Sequence, residues 1–247
     1  MRLRAFRRAA ALAFILMVCT VRLGWARLRG ALTLEARARW VHESSRMILA
    51  GLGIGFVVEG ETPAAGLVAA NHLSYLDILI FGAAMPCFFV AKTEIARWPF
   101  FGMATRNGGT IYIDRASRAS ACRVAAEIEE RLALPVPVLF FPEGTSTDGS
   151  SLLRFHARLF EPAVRAGAMV TSASIRYVLQ NGTAERELCW FGDDAFLPHL
   201  WKVLGASGFS AEVRFGEPHL YLDRRTAAEQ THTEILAMRT DKELILQ

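Results

Sequence analysis

Cysteine is scarce in this chain, and where it occurs it forms no pattern. Cys19, Cys87, Cys122 and Cys189 show neither the paired spacing of a disulfide framework nor the close Cys/His clustering of a zinc site. They read as reduced thiols of a cytosolic environment, packed in a core. An uninterrupted apolar run of about eighteen residues, enough to span a bilayer as a helix, is also missing. The chain therefore reads as peripheral rather than polytopic, although 52% of its residues are hydrophobic and its mean hydropathy is +0.25. No internal repeat and no low-complexity linker divides the 247 residues, a length that buries one good-sized core. One folded domain with an appendage is the expectation.

The net charge of +4 conceals an asymmetry. Residues 1–50 carry ten Arg (Arg2, Arg4, Arg7, Arg8, Arg22, Arg27, Arg29, Arg37, Arg39 and Arg46) against Glu35 and Glu43, a net of +8, so the remainder carries −4. Arginines interleaved with the apolar run Ala9 to Val21 favour an anionic lipid surface over nucleic acid, each interfacial Arg adding about 1 kcal/mol. A basic start followed by thirteen apolar residues is also the pattern of a secretory signal. Against that reading, the run stops at Arg22 and meets Trp25, Arg27 and Arg29 without a small-x-small cleavage site. Cys19 follows Leu16-Met17-Val18, which lacks the small residue that precedes a lipid-modified cysteine. The favoured reading is a helix in the cytoplasmic leaflet with arginines snorkelling to the headgroups. A second helix is expected over Leu34 to Leu52, where Ala36, Trp40, Val41, Met47, Ile48 and Leu52 recur near helical spacing and Gly51, Gly53 and Gly55 end it. The two make a hairpin over residues 1–54, ahead of a body over 55–247.

Beyond it the pattern changes to short apolar runs bounded by turn residues. Strands are expected at Phe56–Val58, Leu67–Ala70, Cys87–Ala91, Thr110–Ile113, Val136–Phe141, Met169–Ile175, Glu187–Phe191 and Ala211–Phe215. Helices are expected between them at Tyr75–Ala84, Ser120–Leu134 and Leu153–Arg165, and a last one at Thr226–Arg239 in a tail assigned no chemistry. The class is α/β, a mixed sheet flanked by helices.

Three segments place reactive side chains just past strand ends. The first is Asn71-His72-Leu73-Ser74-Tyr75-Leu76-Asp77. In a regular helix five positions separate side chains by about 140°, so His72 meets Asp77 only if it precedes the helix. Ser74 is the expected N-cap, with Asp77 at the third helical position in a capping box. With six His and seven Asp in the chain, this spacing arises by chance about one time in six, so it needs support. The second segment, Val138 to Ser146, is an apolar strand that breaks into Pro142-Glu143-Gly144-Thr145, a turn that offers donors to an anion. The third, Gly108 to Arg115, delivers Arg115, whose guanidinium suits a phosphate.

Together and in this order, these segments resemble the glycerolipid acyltransferase family that includes the lysophosphatidic acid acyltransferases. The resemblance rests on Asn71-His72-x4-Asp77, Tyr112-Ile113-Asp114-Arg115 and Phe141-Pro142-Glu143-Gly144-Thr145, with Lys92-x-Glu94 and Trp98-Pro99-Phe100-Phe101-Gly102 between them. It covers about residues 35–215, and the basic amphipathic N-terminus is similar to the two-helix membrane motif of bacterial members. The resemblance implies a glycerol-3-phosphate acyltransferase-like fold on the cytoplasmic face of the inner membrane. It makes His72 the general base and Asp77 its orienting partner. Arg115, Glu143, Gly144 and Thr145 become acceptor-site residues, with Lys92 a further one. The implied reaction moves an acyl group from acyl-CoA or acyl-carrier protein to the second hydroxyl of 1-acyl-glycerol-3-phosphate, giving phosphatidic acid. A thioester is already activated, so no cofactor, metal or covalent serine intermediate is called for. Backbone N–H groups near His72 or Gly144 are candidate oxyanion donors.

Two departures blur the acceptor. The family's third motif often continues with Arg, where this chain has Ser146, Thr147 and Asp148, and the following strand, Val170 to Ile175, lacks the usual proline. Another acceptor, such as lyso-ornithine lipid, is the first alternative, and a non-catalytic membrane-binding protein is the second. A hydrolase using Ser74 or Ser146 is disfavoured, because neither serine sits in a Gly-x-Ser-x-Gly elbow.

Overall fold

The computed structural model describes residues 2–98, 101–113, 118–179 and 184–241. Two helices come first, α1 (Arg2–Leu28) and α2 (Leu34–Leu52). They are tied together by Trp40 Nε1 donating to the Cys19 carbonyl at 3.1 Å and by an Arg22–Glu43 ion pair. Thr33 Oγ1 caps α2 by accepting the Ala36 N–H, and Gly53 ends the helix in the left-handed conformation at φ 67°, where a side chain would be strained. At 27 residues and about 40 Å, α1 is long and apolar enough to cross a bilayer by length and composition, and little of it is buried in the protein. The arginines that interrupt its apolar runs cluster toward its ends, which is why counting uninterrupted runs underestimates it.

The body alternates strands and helices: β1 (Gly55–Glu59), β2 (Leu67–Ala70), α3 (Leu76–Ala84), β3 (Phe88–Lys92), α4 (Phe101–Asn107), β4 (Ile111–Ile113), α5 (Arg118–Leu132), β5 (Val138–Phe140), α6 (Glu161–Ala166), β6 (Val170–Leu179), α7 (Phe196–Gly205), β7 (Phe209–His219) and α8 (Arg224–Thr240). The strands form one sheet in the order β1-β7-β6-β2-β5-β3-β4, parallel throughout except for the antiparallel β6–β7 pair. The expected mixed sheet flanked by helices is therefore present.

β2 lies at the centre, paired with β5 on one side and β6 on the other, and all four of its residues are buried. Alternation along it divides the core in two. Val68 and Ala70 face Leu76, Ile80 and Phe81 of α3 and Ile48, Leu49 and Leu52 of α2. Leu67 and Ala69 face Val124 and Ile128 of α5 and Ala227, Ala228 and Ile235 of α8. A strand fixed on both faces and both edges gives a rigid platform at its C-terminal end, where Asn71 and His72 follow.

Some expected elements differ. Glu187–Phe191 is no strand: a 3-10 turn at Glu185–Glu187 leads into a loop, whose Trp190 N–H donates to the Leu73 carbonyl at 2.8 Å. Leu153–Arg165 is an extended segment, a 3-10 turn (Ala157–Phe160) and only then α6, because Pro162 suits the first turn of a helix but not its interior. α4 and α7 were not anticipated.

Candidate active site

The C-terminal ends of β2 and β5 deliver two loops that grip each other. β2 gives way to Asn71, whose side-chain amide continues the ladder to β6: Nδ2 donates to the Ile175 carbonyl at 3.1 Å and Oδ1 accepts the Ile175 N–H at 2.8 Å. His72 follows, before α3 begins. Its backbone N–H donates to Glu143 Oε1 at 2.8 Å, and its carbonyl accepts the Thr147 N–H at 2.9 Å, so the loop after β5 holds both sides of the His72 peptide.

The His72 ring meets Asp77 as the sequence reading required, with Nδ1 2.7 Å from Asp77 Oδ2. A carboxylate offers only acceptors, so Nδ1 carries the proton and the Nε2 lone pair is left for chemistry. The ring stacks on Phe141 at 4.0 Å between centroids, which fixes its plane. Its side chain remains 21% exposed while that of Asp77 is wholly buried. The imidazole is reachable and its partner is shielded.

The capping arrangement differs from the expected one. Asp77 Oδ2 does reach back, accepting the N–H groups of Ser74 at 3.0 Å and Leu73 at 2.7 Å. The Ser74 hydroxyl returns nothing and is buried without a partner. The bend before α3 is thus made by the carboxylate that also holds His72, while Tyr75 at the N-cap of α3 makes no side-chain cap bond. This geometry also engages several of the expected oxyanion donors. The N–H groups of His72, Leu73 and Ser74 are taken by Glu143 and Asp77, and that of Gly144 donates to the Phe141 carbonyl at 3.0 Å.

A residue the sequence did not single out completes the shell. Tyr177, on the part of β6 that runs past the end of β2, donates its hydroxyl to Asp77 Oδ1. Burial, followed by the Asp77 charge, pushes the ionisation of this phenol far above its ordinary range, so it stays a donor at every working pH. Four donors therefore converge on one buried carboxylate. Tyr177 is steadied by Glu185, whose Oε1 accepts the Tyr177 N–H at 2.8 Å and whose Oε2 pairs with Arg239 of α8 at 2.8 Å. Arg239 also donates to the carbonyls of Ile175 and Gly149, so the tail assigned no chemistry braces the shell from behind. Tyr177→Phe is expected to lower stability by about 1–3 kcal/mol, the cost of leaving a charged acceptor unsatisfied. Turnover should fall roughly tenfold with KM unchanged, since about 1.4 kcal/mol of lost positioning has that effect. Urea unfolding and steady-state kinetics check both.

Glu143 is buried with both oxygens engaged, by the His72 N–H and by the Leu153 N–H at 2.9 Å. Burial pushes its carboxyl above the usual range, opposed by those two N–H groups. It ties His72 to the extended segment that begins at Leu153. Gly144 turns the chain at φ 76° and is buried, and Thr145 beside it is exposed. Lys92 is exposed at the end of β3, and the β3–β5 register puts it on the same sheet edge as the Pro142–Thr145 turn. Arg115 lies outside the described residues, as do Pro99 and Phe100.

Comparison with known proteins bears on the same segments. A family model described as Acyltransferase matches residues 56–176, from β1 to within β6. The 1-acyl-sn-glycerol-3-phosphate acyltransferase of Neisseria meningitidis is 38% identical over 185 residues, covering 73% of this chain and 72% of that protein. The lyso-ornithine lipid O-acyltransferase of Pseudomonas aeruginosa is 32% identical over 241 residues, covering 95% of this chain and 93% of that one. The crystal structure of the 1-acyl-sn-glycerophosphate acyltransferase PlsC from Thermotoga maritima shares the fold at a TM-score of 0.65 and 20% identity, over 96% of this chain and 98% of that one. With a matched domain that contains the histidine loop, the Glu143 turn and the strands that carry them, the chain belongs to the acyltransferase family of the 1-acyl-glycerol-3-phosphate and lysolipid acyltransferases.

Proposed function

We propose that this protein transfers a fatty acyl group from acyl-CoA or acyl-carrier protein to the sn-2 hydroxyl of 1-acyl-glycerol-3-phosphate, with His72 as general base and Asp77 as the group that orients it. The observation that carries the reading is the 2.7 Å contact between His72 Nδ1 and the buried Asp77 carboxylate, which puts the proton on Nδ1 and leaves the Nε2 lone pair on a partly exposed ring. A glycerol hydroxyl is a poor nucleophile until its proton is taken. Nε2 accepts that proton as the oxygen attacks the thioester carbonyl carbon. The tetrahedral oxyanion then collapses, the carbon–sulfur bond breaks, and the imidazolium returns the proton to the departing thiolate. Asp77 steadies the positive ring between those events. Arg115, Lys92 and Thr145 are proposed to face the acceptor's headgroup. Glu143 and Gly144 act on the acceptor through the shape of the turn and the placement of His72. The basic, apolar α1 is proposed to hold the enzyme on the cytoplasmic face of the inner membrane.

A second acceptor is favoured by one observation. Where the family often places an arginine, Ser146 Oγ donates to the Trp190 carbonyl at 2.5 Å and Thr147 grips His72, so both side chains are committed inside the protein. That missing cation suits a headgroup without phosphate, such as lyso-ornithine lipid, the acceptor named for the Pseudomonas aeruginosa relative. Purified enzyme offered each acceptor with one acyl donor decides between them. The lead reading expects lysophosphatidic acid to be acylated at least about tenfold faster, a 1.4 kcal/mol difference in transition-state binding. The reverse order assigns the enzyme to lyso-ornithine lipid.

A further inference from the structure

α7 has two faces with different surroundings. Its inner face carries His199, which is buried and hydrogen-bonds the Tyr75 hydroxyl at 3.1 Å, three residues beyond His72. Phe196 at its start stands edge-on to Tyr75, Trp98 and Phe101 at 5.0–5.4 Å between centroids. The helix is thereby packed against Tyr75, at the end of the loop that carries His72. Its outer face is apolar and open to solvent: Leu197 is 71% exposed and Trp201 is 38% exposed.

That outer face is continuous with α1. Trp201 packs edge-on against Phe6 at 4.9 Å, and an apolar groove of about 320 Å³ runs between Leu12 and Leu16 of α1 and Leu197, Leu200, Trp201 and Leu204 of α7. Arg4 and Arg8 reach from α1 to the residue after α7, both donating to the Ala206 carbonyl, at 2.9 and 2.8 Å. The first turn of α1 holds no acidic residue, and Arg2 and Arg7 near its start are exposed. An isolated soluble surface does not favour a large apolar patch bordered by cations, whereas the boundary between anionic headgroups and acyl chains matches it in both chemistry and order.

We propose that the outer face of α7, with Leu197 and Trp201 at its crest, is a second membrane-inserting element beside α1, and that an anionic lipid bilayer covers it. α7 then links the bilayer to the catalytic loop through His199 and Tyr75, and sets the mouth of the site at headgroup depth. The position in the fold agrees. β7 begins just after α7, and its first residue, Phe209, pairs with Leu179, beyond the sheet edge where β2 ends at Ala70. Membrane face and His72 share one edge of the sheet. Leu222, 91% exposed after β7, lies toward the opposite edge, where His219 pairs with Val170, and serves as a control.

The proposal rests on the acyltransferase reading for its consequence in catalysis but not for membrane contact, so the test reads the two separately. The full chain carrying Leu197→Glu, Leu197→Trp or Leu222→Glu is co-sedimented with phosphatidylglycerol/phosphatidylcholine vesicles, and each is assayed with acceptor embedded in vesicles and with a short-chain acceptor below its micellar concentration. Leu197→Glu is expected to weaken vesicle binding and vesicle-phase turnover about tenfold, with turnover of the monomeric acceptor within twofold of wild type. Leu197→Trp should bind at least as tightly as wild type, and Leu222→Glu should match it. Unchanged binding in Leu197→Glu, an equal loss in Leu222→Glu, or an equal loss on the monomeric acceptor overturns the proposal. Inactivity of every form, wild type included, with the binding pattern intact overturns the acyltransferase reading instead.

Discussion

His72→Ala is expected to lower turnover by about a thousandfold to ten-thousandfold while the protein stays folded and membrane-bound. A positioned general base contributes about 10²–10⁴ in rate, and the proposed mechanism also gives the ring the task of returning the proton to sulfur. The fold survives because the loop is held by its backbone. The His72 N–H remains on Glu143 and its carbonyl on Thr147, and Leu73 and Ser74 remain on Asp77. The ring stacks on Phe141 but is partly exposed, so removing it leaves a surface dent. Turnover measured alongside thermal melting checks this: a large loss of rate with a melting temperature close to wild type is the expected pair.

Asp77→Asn is expected to cost about a hundredfold to ten-thousandfold in turnover, by a different route. Asparagine has the same shape, and its oxygen can keep the position that accepts the Leu73 and Ser74 N–H groups. Its amide nitrogen then faces the Tyr177 hydroxyl, which turns to accept. What is lost is negative charge beside the ring, which in the proposed mechanism holds the productive tautomer and stabilises the imidazolium as it forms. Asp77→Ala, by contrast, orphans two buried N–H groups and the Tyr177 hydroxyl, and is expected to destabilise the fold by several kcal/mol as well. The two substitutions, compared in kinetics and in urea unfolding, separate the charge from the scaffold.

The parts of this architecture legible in the sequence are those whose causes are local. β2 was bounded correctly because a strand buried on both faces reads as a short apolar run with turn residues on either side. α2 stops where Gly53 supplies a conformation other residues resist. The position of His72 before α3 followed from helical geometry alone. Where local pattern was ambiguous it misled. Leu188 and Cys189 are buried, but in a loop hooked to Leu73 rather than in a sheet. α7 has the right periodicity, and its Pro198 is tolerated because it falls in the first turn.

The outer shell of the site was not legible. Tyr177 lies 100 positions from Asp77, and Arg239 lies 54 from Glu185. A tyrosine in mid-strand looks like any core aromatic, and an arginine in a polar tail looks like a solvated charge. Their roles come from the register of β6 with β2 and from the packing of α8 on β6, which only the fold supplies. The capping box was misassigned for a related reason. A serine and an aspartate at that spacing fit the motif equally well whether the serine caps or, as here, only the aspartate bonds back.

In the proposed mechanism His72 and Asp77 act as one unit on the acceptor hydroxyl. The most direct test of this is diacyl product formation from radiolabelled lysophosphatidic acid, and in parallel from lyso-ornithine lipid, by wild type, His72→Ala, Asp77→Asn and the double variant. If the pair is a unit, Asp77→Asn costs almost nothing further once the imidazole is gone, and the double variant is about as slow as His72→Ala. If the two losses multiply, or if His72→Ala retains most of the wild-type rate, the pair is not the catalytic unit and the account is wrong.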